Sequence, residues 1–389
     1  MKRLVNTLGA LALVAMFLLP VAGFAGLLLS GVELSENRAA AAWPEWGADD
    51  TPDAAVRPGR AYAAGIDAFL EDRFGGRMAL IRLSRRIKDN LGEDPPLVAR
   101  GQGEWLFLSQ ANYKDEFEGV GRWTDAQVEQ WVESTRDAAA VFEERGIPFA
   151  LSIAPDKIRI YPEQAPDNWR QGGRRFRTTL LEDPRVADIA FDAEVATLAR
   201  KSAGERVYHA RDTHWTLSGG LPFVTAFLDR IDPQGRRLRY EASPKEIAAR
   251  KRPWDLEVFN GQEASSQTAA RYVPPPSVPG MAVEAVDADG DGVPDRGALQ
   301  TKIITRRSTP ETEGTLVIVG DSFSDVMAPV FAHSFDRVVK IHHGGNQFTV
   351  GTDEILSFEP DAVLVLIVER EAAAKAAPLR LGPTRVDAG

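Results

Sequence analysis

Three runs, "FALSIAP" (149–155), "TLVIV" (315–319) and "DAVLVLIVER" (361–370), limit what this chain can fold into. Each is almost continuously apolar. A strand with one wet face would alternate, so these strands are expected to be covered on both sides. A further strand reads as "RVVKIHH" (337–343), with others at 103–110 and 206–210. Between them the residues of about 124–145, 188–203, 218–231 and 323–334 have helical character. Thr124 or Asp125 can cap the first of these helices, and Gly146-Ile147-Pro148 stops it. Strands alternating with helices give an α/β protein with a mainly parallel sheet. With 389 residues, 44% of them hydrophobic, a full core is within reach.

The organisation along the chain follows from composition. Residues 1–30 read as a signal anchor or signal peptide, 31–60 as a linker and 61–375 as the folded domain. Ile66 to Asn90 repeats apolar residues at helical spacing. Residues 233–312 are irregular and read as an insertion with some β structure, and 376–389 as a tail that frays. The run from 8 to 29 holds 22 uncharged residues after Lys2 and Arg3 and before Glu33 and Glu36. At about 1.5 Å per residue it can span a hydrocarbon core of roughly 30 Å. That charge polarity keeps the N-terminus in the cytoplasm and sends the rest across the membrane. Cleavage near "VAG" (21–23) is the competing reading, and it would leave a soluble chain outside the cytoplasm. A net charge of −10 argues against nucleic acid as a partner. There is no cysteine, so thiol chemistry and disulfides are excluded.

The strand at 315–319 ends in Gly320-Asp321-Ser322 and leads into a helix. Any tight strand-to-helix turn favours these residue types, so the corner alone proves little. A serine becomes a nucleophile when a base takes its proton and a carboxylate orients that base. Of the five histidines, His214 in "RDTHWT" has Asp212 two residues before it. That spacing lets Asp212 reach Nδ1 while Nε2 faces Ser322. Backbone N–H groups at the turn and helix start would form part of an oxyanion hole. A turn serine, a capping Asp212 and a surface His214 account for the same residues.

"GDSFS" (320–324) resembles the serine block of SGNH hydrolases. "DTHW" (212–215) preceding it in the chain resembles the alginate O-acetyltransferase family of AlgJ and AlgX. "ENR" (36–38), "DRFGGR" (72–77), "GEWLFL" (103–108), "APDKIRIYPE" (154–163), "FDRVVKIHH" (335–343) and "IVER" (367–370) are similar to further blocks of that family, in the same order. Length and anchor resemble the AlgJ branch. The resemblance implies an SGNH hydrolase-like three-layer α/β/α sandwich and a triad of Ser322, His214 and Asp212. It implies transfer of acetyl groups, through an acetyl-serine, onto polysaccharide hydroxyls in the periplasm. It also implies a membrane-bound O-acyltransferase as donor partner and association with the inner membrane. An acetylesterase with the same triad, or a polysaccharide-binding scaffold without catalysis, are the alternatives.

Lys157, Tyr161 and His342 follow or end strands and are candidates for lining a substrate cleft. Asp287, Asp289, Asp291 and Asp295 in "DADGDGVPD" read either as a Ca²⁺ loop or as a solvated acidic turn. The twelfth position of an EF-hand would need Glu, and Ala298 stands there. Any such calcium would be structural. The triad chemistry requires no cofactor.

Overall fold

The computed structural model describes residues 97–386 apart from 110, 122, 241–247, 250–253, 260–270, 273–281, 286–300, 343–347, 375–376, 378 and 383–384. The chain divides into two compact units, 1–95 with 257–263 and 96–256 with 264–389; the fold below is that of the second. The signal segment, the helix expected at 66–90 and the four aspartates at 287–295 lie outside the described residues. Among the described residues no helix is long and apolar enough to cross a membrane.

The elements in chain order are β1 (Val98–Arg100), β2 (Leu106–Leu108), α1 (Ala111–Glu118), α2 (Asp125–Glu143), β3 (Phe149–Ala154), α3 (Lys157–Ile160), α4 (Phe176–Leu181), α5 (Glu194–Ser202) and α6 (Leu217–Ile231). Then come β4 (Ala248–Ala249), α7 (Asp255–Phe259), β5 (Arg271–Tyr272), β6 (Ala282–Ala285), β7 (Thr301–Thr305), β8 (Thr315–Gly320) and α8 (Ser322–Phe331). The chain closes with β9 (Arg337–His342), β10 (Phe348–Gly351), α9 (Thr352–Ser357), β11 (Ala362–Val368), α10 (Glu369–Ala374), β12 (Leu379–Arg380) and β13 (Arg385–Val386).

Six strands form the main sheet in the order β3-β11-β8-β9-β7-β6. The first four are mutually parallel, and β7 and β6 add antiparallel. The near-continuous apolar runs are the central strands. All seven residues of β11 are buried, as burial on both faces requires. Alternate residues of β8 serve the two faces. Val317 and Val319 join a cluster around Trp131 and Phe142 of α2 and Phe176 of α4. Leu316 and Ile318 are equally buried outside that cluster. α8 packs on β8, β9 and β11, and α6 packs on α8, with Phe227 edge-on to Phe331 at 5.5 Å. α2 starts at a capping box in which Thr124 accepts from the Gln127 N–H and Gln127 accepts from the Thr124 N–H.

Two expectations change. The strand expected at 206–210 does not join the sheet; its Tyr208 forms an isolated bridge to Trp215. The insertion supplies β7 and β6, the β structure expected of that stretch, and both join the main sheet. The tail expected to fray contributes β12 and β13, which flank β10, and the Leu379 carbonyl accepts from Ser134 Oγ at 2.5 Å. Its Leu379 is 3% exposed, so apolar burial holds this end down.

Candidate active site

β8 delivers the chain to the carboxyl edge of the sheet, and Gly320-Asp321-Ser322 makes the corner into α8. Gly320 is required by close approach, since a Cβ there would run into the Leu366 carbonyl and Ser324 Oγ. Asp321 is the N-cap. Its Oδ1 accepts from the Phe323 N–H at 2.9 Å and its Oδ2 from the Val368 N–H at 2.7 Å. One carboxylate thus starts α8 and fastens the corner to the end of β11. Burial pushes the Asp321 pKa up, against the pull of the two N–H groups. Ser322, the first residue of α8, is left half-buried at the edge.

His214 arrives on a tight loop. The Thr216 N–H donates to the Val207 carbonyl at 3.0 Å, and the His209 N–H to the His214 carbonyl at 3.2 Å. Trp215 is fully buried, and its Nε1 donates to the Phe323 carbonyl at 3.2 Å, tying the loop to the first turn of α8. The Phe323 ring lies 5.2 Å from the rings of both Trp215 and His214. Within this frame His214 Nε2 is 2.7 Å from Ser322 Oγ, and His214 Nδ1 is 2.6 Å from Asp212 Oδ1. Asp212 also accepts from the His214 backbone N–H at 3.0 Å, as the i, i+2 spacing allows. The three residues singled out in the sequence are therefore brought into one hydrogen-bonded line.

The electrostatics follow from this contact. Burial pulls the His214 imidazolium down, but its hydrogen bond and charge pairing with Asp212, with Asp255 adding, leave its pKa above the ordinary value. Burial pushes Asp212 up, and the bond to His214 outweighs it, holding the carboxyl well below the usual range. Such a pair stabilises an imidazolium formed when a serine proton is taken. Asp212, His214 and Asp255 each offer an oxygen or nitrogen within 4.8 Å of the others, the spacing of a three-ligand ion site. The hydrogen bonds assign those atoms otherwise. A 2.6 Å contact between Nδ1 and a carboxylate needs a proton between them, which takes Nδ1 from a metal, while Nε2 faces Ser322.

The expected oxyanion donors are reduced. The Phe323 N–H is taken by Asp321 Oδ1, and the Ser324 N–H by the Asp321 carbonyl at 3.1 Å. The Ser322 N–H is not among the groups that Asp321 takes.

Lys157 and Tyr161, expected to line a cleft, are structural instead. Lys157 is 2% exposed, and its ammonium donates to the carbonyls of Leu106, Ala210 at 3.2 Å and Asp212 at 2.8 Å. It also lies 4.8 Å from the Phe107 ring centre. It clamps the loop that carries Asp212, and burial pulls its pKa down to about 7. The Tyr161 hydroxyl accepts from the Val207 N–H at 3.1 Å, and its ring packs 4.3 Å from Trp105. His342 ends β9 opposite Gly320, half-buried on the strand beside the serine corner. The His209 ring centre lies 4.3 Å from that of Trp254, and the His333 ring centre 4.8 Å from that of Tyr240.

Asp255, Arg175 and Glu194 carried no pattern readable in sequence. Asp255 opens α7 beside Asp212 and His214. A buried ion network joins the ends of β3 and β11. Arg370 meets Asp156 at 2.6 Å, and Arg175 bridges Glu369 at 2.7 Å and Glu194 at 3.1 Å. The Arg370 guanidinium lies 5.2 Å from the Phe323 ring centre. The "APDK" and "IVER" blocks thus meet in one charge cluster under the serine corner.

The family model described as an SGNH hydrolase-like domain of the acetyltransferase AlgX matches residues 98–358. The probable alginate O-acetylase AlgJ of Azotobacter vinelandii is 28% identical over 148 residues, which is 37% of this chain and 36% of that protein. The protein of the same name from Pseudomonas syringae pv. tomato is 29% identical over 131 residues, 33% of this chain and 31% of its own. The chain thus spans about a third of the length of the curated relatives it matches. The solved O-acetyltransferase domain of Pseudomonas putida AlgJ is 17% identical with a TM-score of 0.40, covering 72% of this chain and 93% of that one. A family model that matches more than half of the residues, on a chain with this sheet and corner, shows that the chain belongs to the SGNH hydrolase-like AlgX acetyltransferase family.

Proposed function

We propose that this chain is an O-acetyltransferase that moves acetyl groups onto hydroxyls of an alginate-like exopolysaccharide. The observation that carries the reading is the line Ser322 Oγ to His214 Nε2 to Asp212 Oδ1, at 2.7 and 2.6 Å. Family membership supports the acetyl group as cargo. The names of the AlgJ relatives support a polysaccharide as acceptor.

Ser322 Oγ attacks the carbonyl carbon of an acetyl donor and passes its proton to His214 Nε2. Asp212 holds Nδ1–H and stabilises the imidazolium. The Ser322 N–H donates to the developing oxyanion. His214 returns the proton to the leaving group as that bond breaks, leaving acetyl-Ser322. A sugar hydroxyl then attacks the acetyl-serine, gives its proton to Nε2, and leaves as the acetyl ester while Ser322 recovers its proton. His342, at the edge beside this corner, is a candidate contact to the acceptor. A periplasmic location, an inner-membrane anchor in residues 8–29 and a membrane-bound O-acyltransferase as donor partner complete the reading. Asp287, Asp289, Asp291 and Asp295 would, if they hold calcium, stiffen the insertion.

The same triad serves an esterase if water replaces the sugar. The two are separated by incubating the protein with an acetyl-ester surrogate and uronate or neutral oligosaccharides, then weighing the oligosaccharides by mass spectrometry. A gain of acetyl groups on sugar supports transfer. Fast release of acetate that added sugar leaves unchanged would overturn transfer in favour of hydrolysis, because a site that open to water cannot keep an acetyl group for an acceptor.

A further inference from the structure

Asp255 was not visible as a functional residue in the sequence, and the triad mechanism does not use it. Its position is nevertheless built with care. Asp255 Oδ1 accepts from the Thr213 N–H at 2.8 Å, and Oδ2 accepts from the Thr213 hydroxyl. In return, the Asp255 backbone N–H donates to Asp212 Oδ2 at 3.2 Å. Asp212 therefore has one oxygen on His214 and the other held by Asp255. Asp255 Oδ2 also lies 3.5 Å from His214 Nδ1, beyond a good hydrogen bond but within ion-pair range. The two carboxylates straddle one imidazole edge, and the residue between Asp212 and His214 is the one Asp255 grips.

We propose that Asp255 is a positioning residue of the triad: it locks Asp212 and Thr213 in place, and its charge favours the imidazolium form of His214. This deepens the triad reading and rests on it. Asp212 alone could orient the ring, yet a second carboxylate at this distance adds a field that acts when His214 becomes charged. Burial, and then the neighbouring Asp212, push the Asp255 pKa up, as expected of a carboxylate forced beside another. The charged and titratable groups around His214 are Asp212 on its own loop, Asp255 on α7, Ser322 on α8 and Arg370 on α10. Lys157 on α3 acts on both carboxylates, and His209 acts on Asp212.

The test is the pH dependence of Ser322 acylation and sulfonylation in Asp255→Asn, using an acetyl-ester surrogate and a sulfonyl fluoride. His214 must be neutral to take the serine proton, so the rate rises with pH through its pKa. Removing a negative charge lowers that pKa, so the acid limb moves down by about one pH unit. The rate on the plateau falls about tenfold as imidazolium stabilisation weakens. Asp255→Glu, which keeps the charge, is expected to hold the limb close to its original pH. If the amide variant does not fold, Asp255→Ser makes the same comparison with a smaller neutral side chain. A merely structural role would lower the plateau and leave the limb unmoved, and that result overturns the inference. Ser322→Ala, run in parallel, separates the two claims. If Ser322→Ala retains turnover, the triad reading itself fails; if Ser322→Ala is inactive and the limb in Asp255→Asn is unmoved, only the Asp255 inference fails.

Discussion

Replacing Asp321 by Ala should damage stability more than replacing its neighbour Ser322, although Ser322 is the proposed nucleophile. Asp321 is 6% exposed, and its carboxylate accepts two backbone N–H groups, from Phe323 and Val368. Losing an N-cap typically costs about 1 kcal/mol. Stranding the Val368 N–H inside the sheet edge costs about 1–3 kcal/mol more. Against this, alanine removes a carboxylate whose burial is not fully offset, as its raised pKa indicates. Discounting about 1 kcal/mol for that relief leaves a net loss of about 2 kcal/mol. Asp321→Asn keeps one acceptor oxygen and should lose about half as much. Ser322 is half-buried and its hydroxyl meets only His214 among the described residues, so Ser322→Ala should fall within about 0.5 kcal/mol of wild type. Urea unfolding followed by tryptophan fluorescence measures all three. If Asp321→Ala unfolds at the wild-type midpoint, or Ser322→Ala unfolds as early as Asp321→Ala, the assigned division of labour at this corner is wrong.

Other perturbations test neighbouring parts of the account. The acid limb of kcat/KM should lie above the ordinary histidine range, because Asp212 and Asp255 raise the His214 pKa and the base works only when neutral; a limb below that range contradicts the pairing. Arg175→Ala leaves Glu369 buried without its main partner and should cost about 3–5 kcal/mol, read by thermal unfolding; a loss under about 1 kcal/mol would mean the network is not structural. Lys157 has a folded pKa of about 7 against 10.5 when free, so the unfolded chain binds more protons in that window and stability should rise with pH across it. The Lys157→Met variant should lose that slope and also lose activity by loosening the Asp212 loop; an unchanged slope would refute the assignment.

What the sequence disclosed and what it withheld divide along physical lines. β3, β8 and β11 were legible because a strand buried on both faces has to be apolar at every position. The hydrogen-bonded line of Ser322, His214 and Asp212 was legible because Asp212 and His214 are two residues apart, and Gly320 and Asp321 mark the corner locally. Lys157 misled because a long cationic side chain beside a strand end can point to solvent or inward, and the sequence does not carry the carbonyls of Leu106, Ala210 and Asp212 that draw it in. Asp255 was hidden because it lies 43 positions from Asp212 in an irregular stretch, where only the folded loop brings them together. The segment 206–210 looked like a strand from its Val and Tyr, but its backbone pairs with Trp215 and Thr216 instead of the sheet.

The central claim is that Ser322 carries the acetyl group in transit. The direct measurement is rapid quenching of the protein with an acetyl-ester donor, followed by proteolysis and mass spectrometry of the peptide containing Ser322. The account predicts one acetyl group on Ser322, absent from Ser322→Ala, that is discharged onto sugar when an oligosaccharide acceptor is added. Turnover without acetyl on Ser322, or with the acetyl group on another residue, would contradict it.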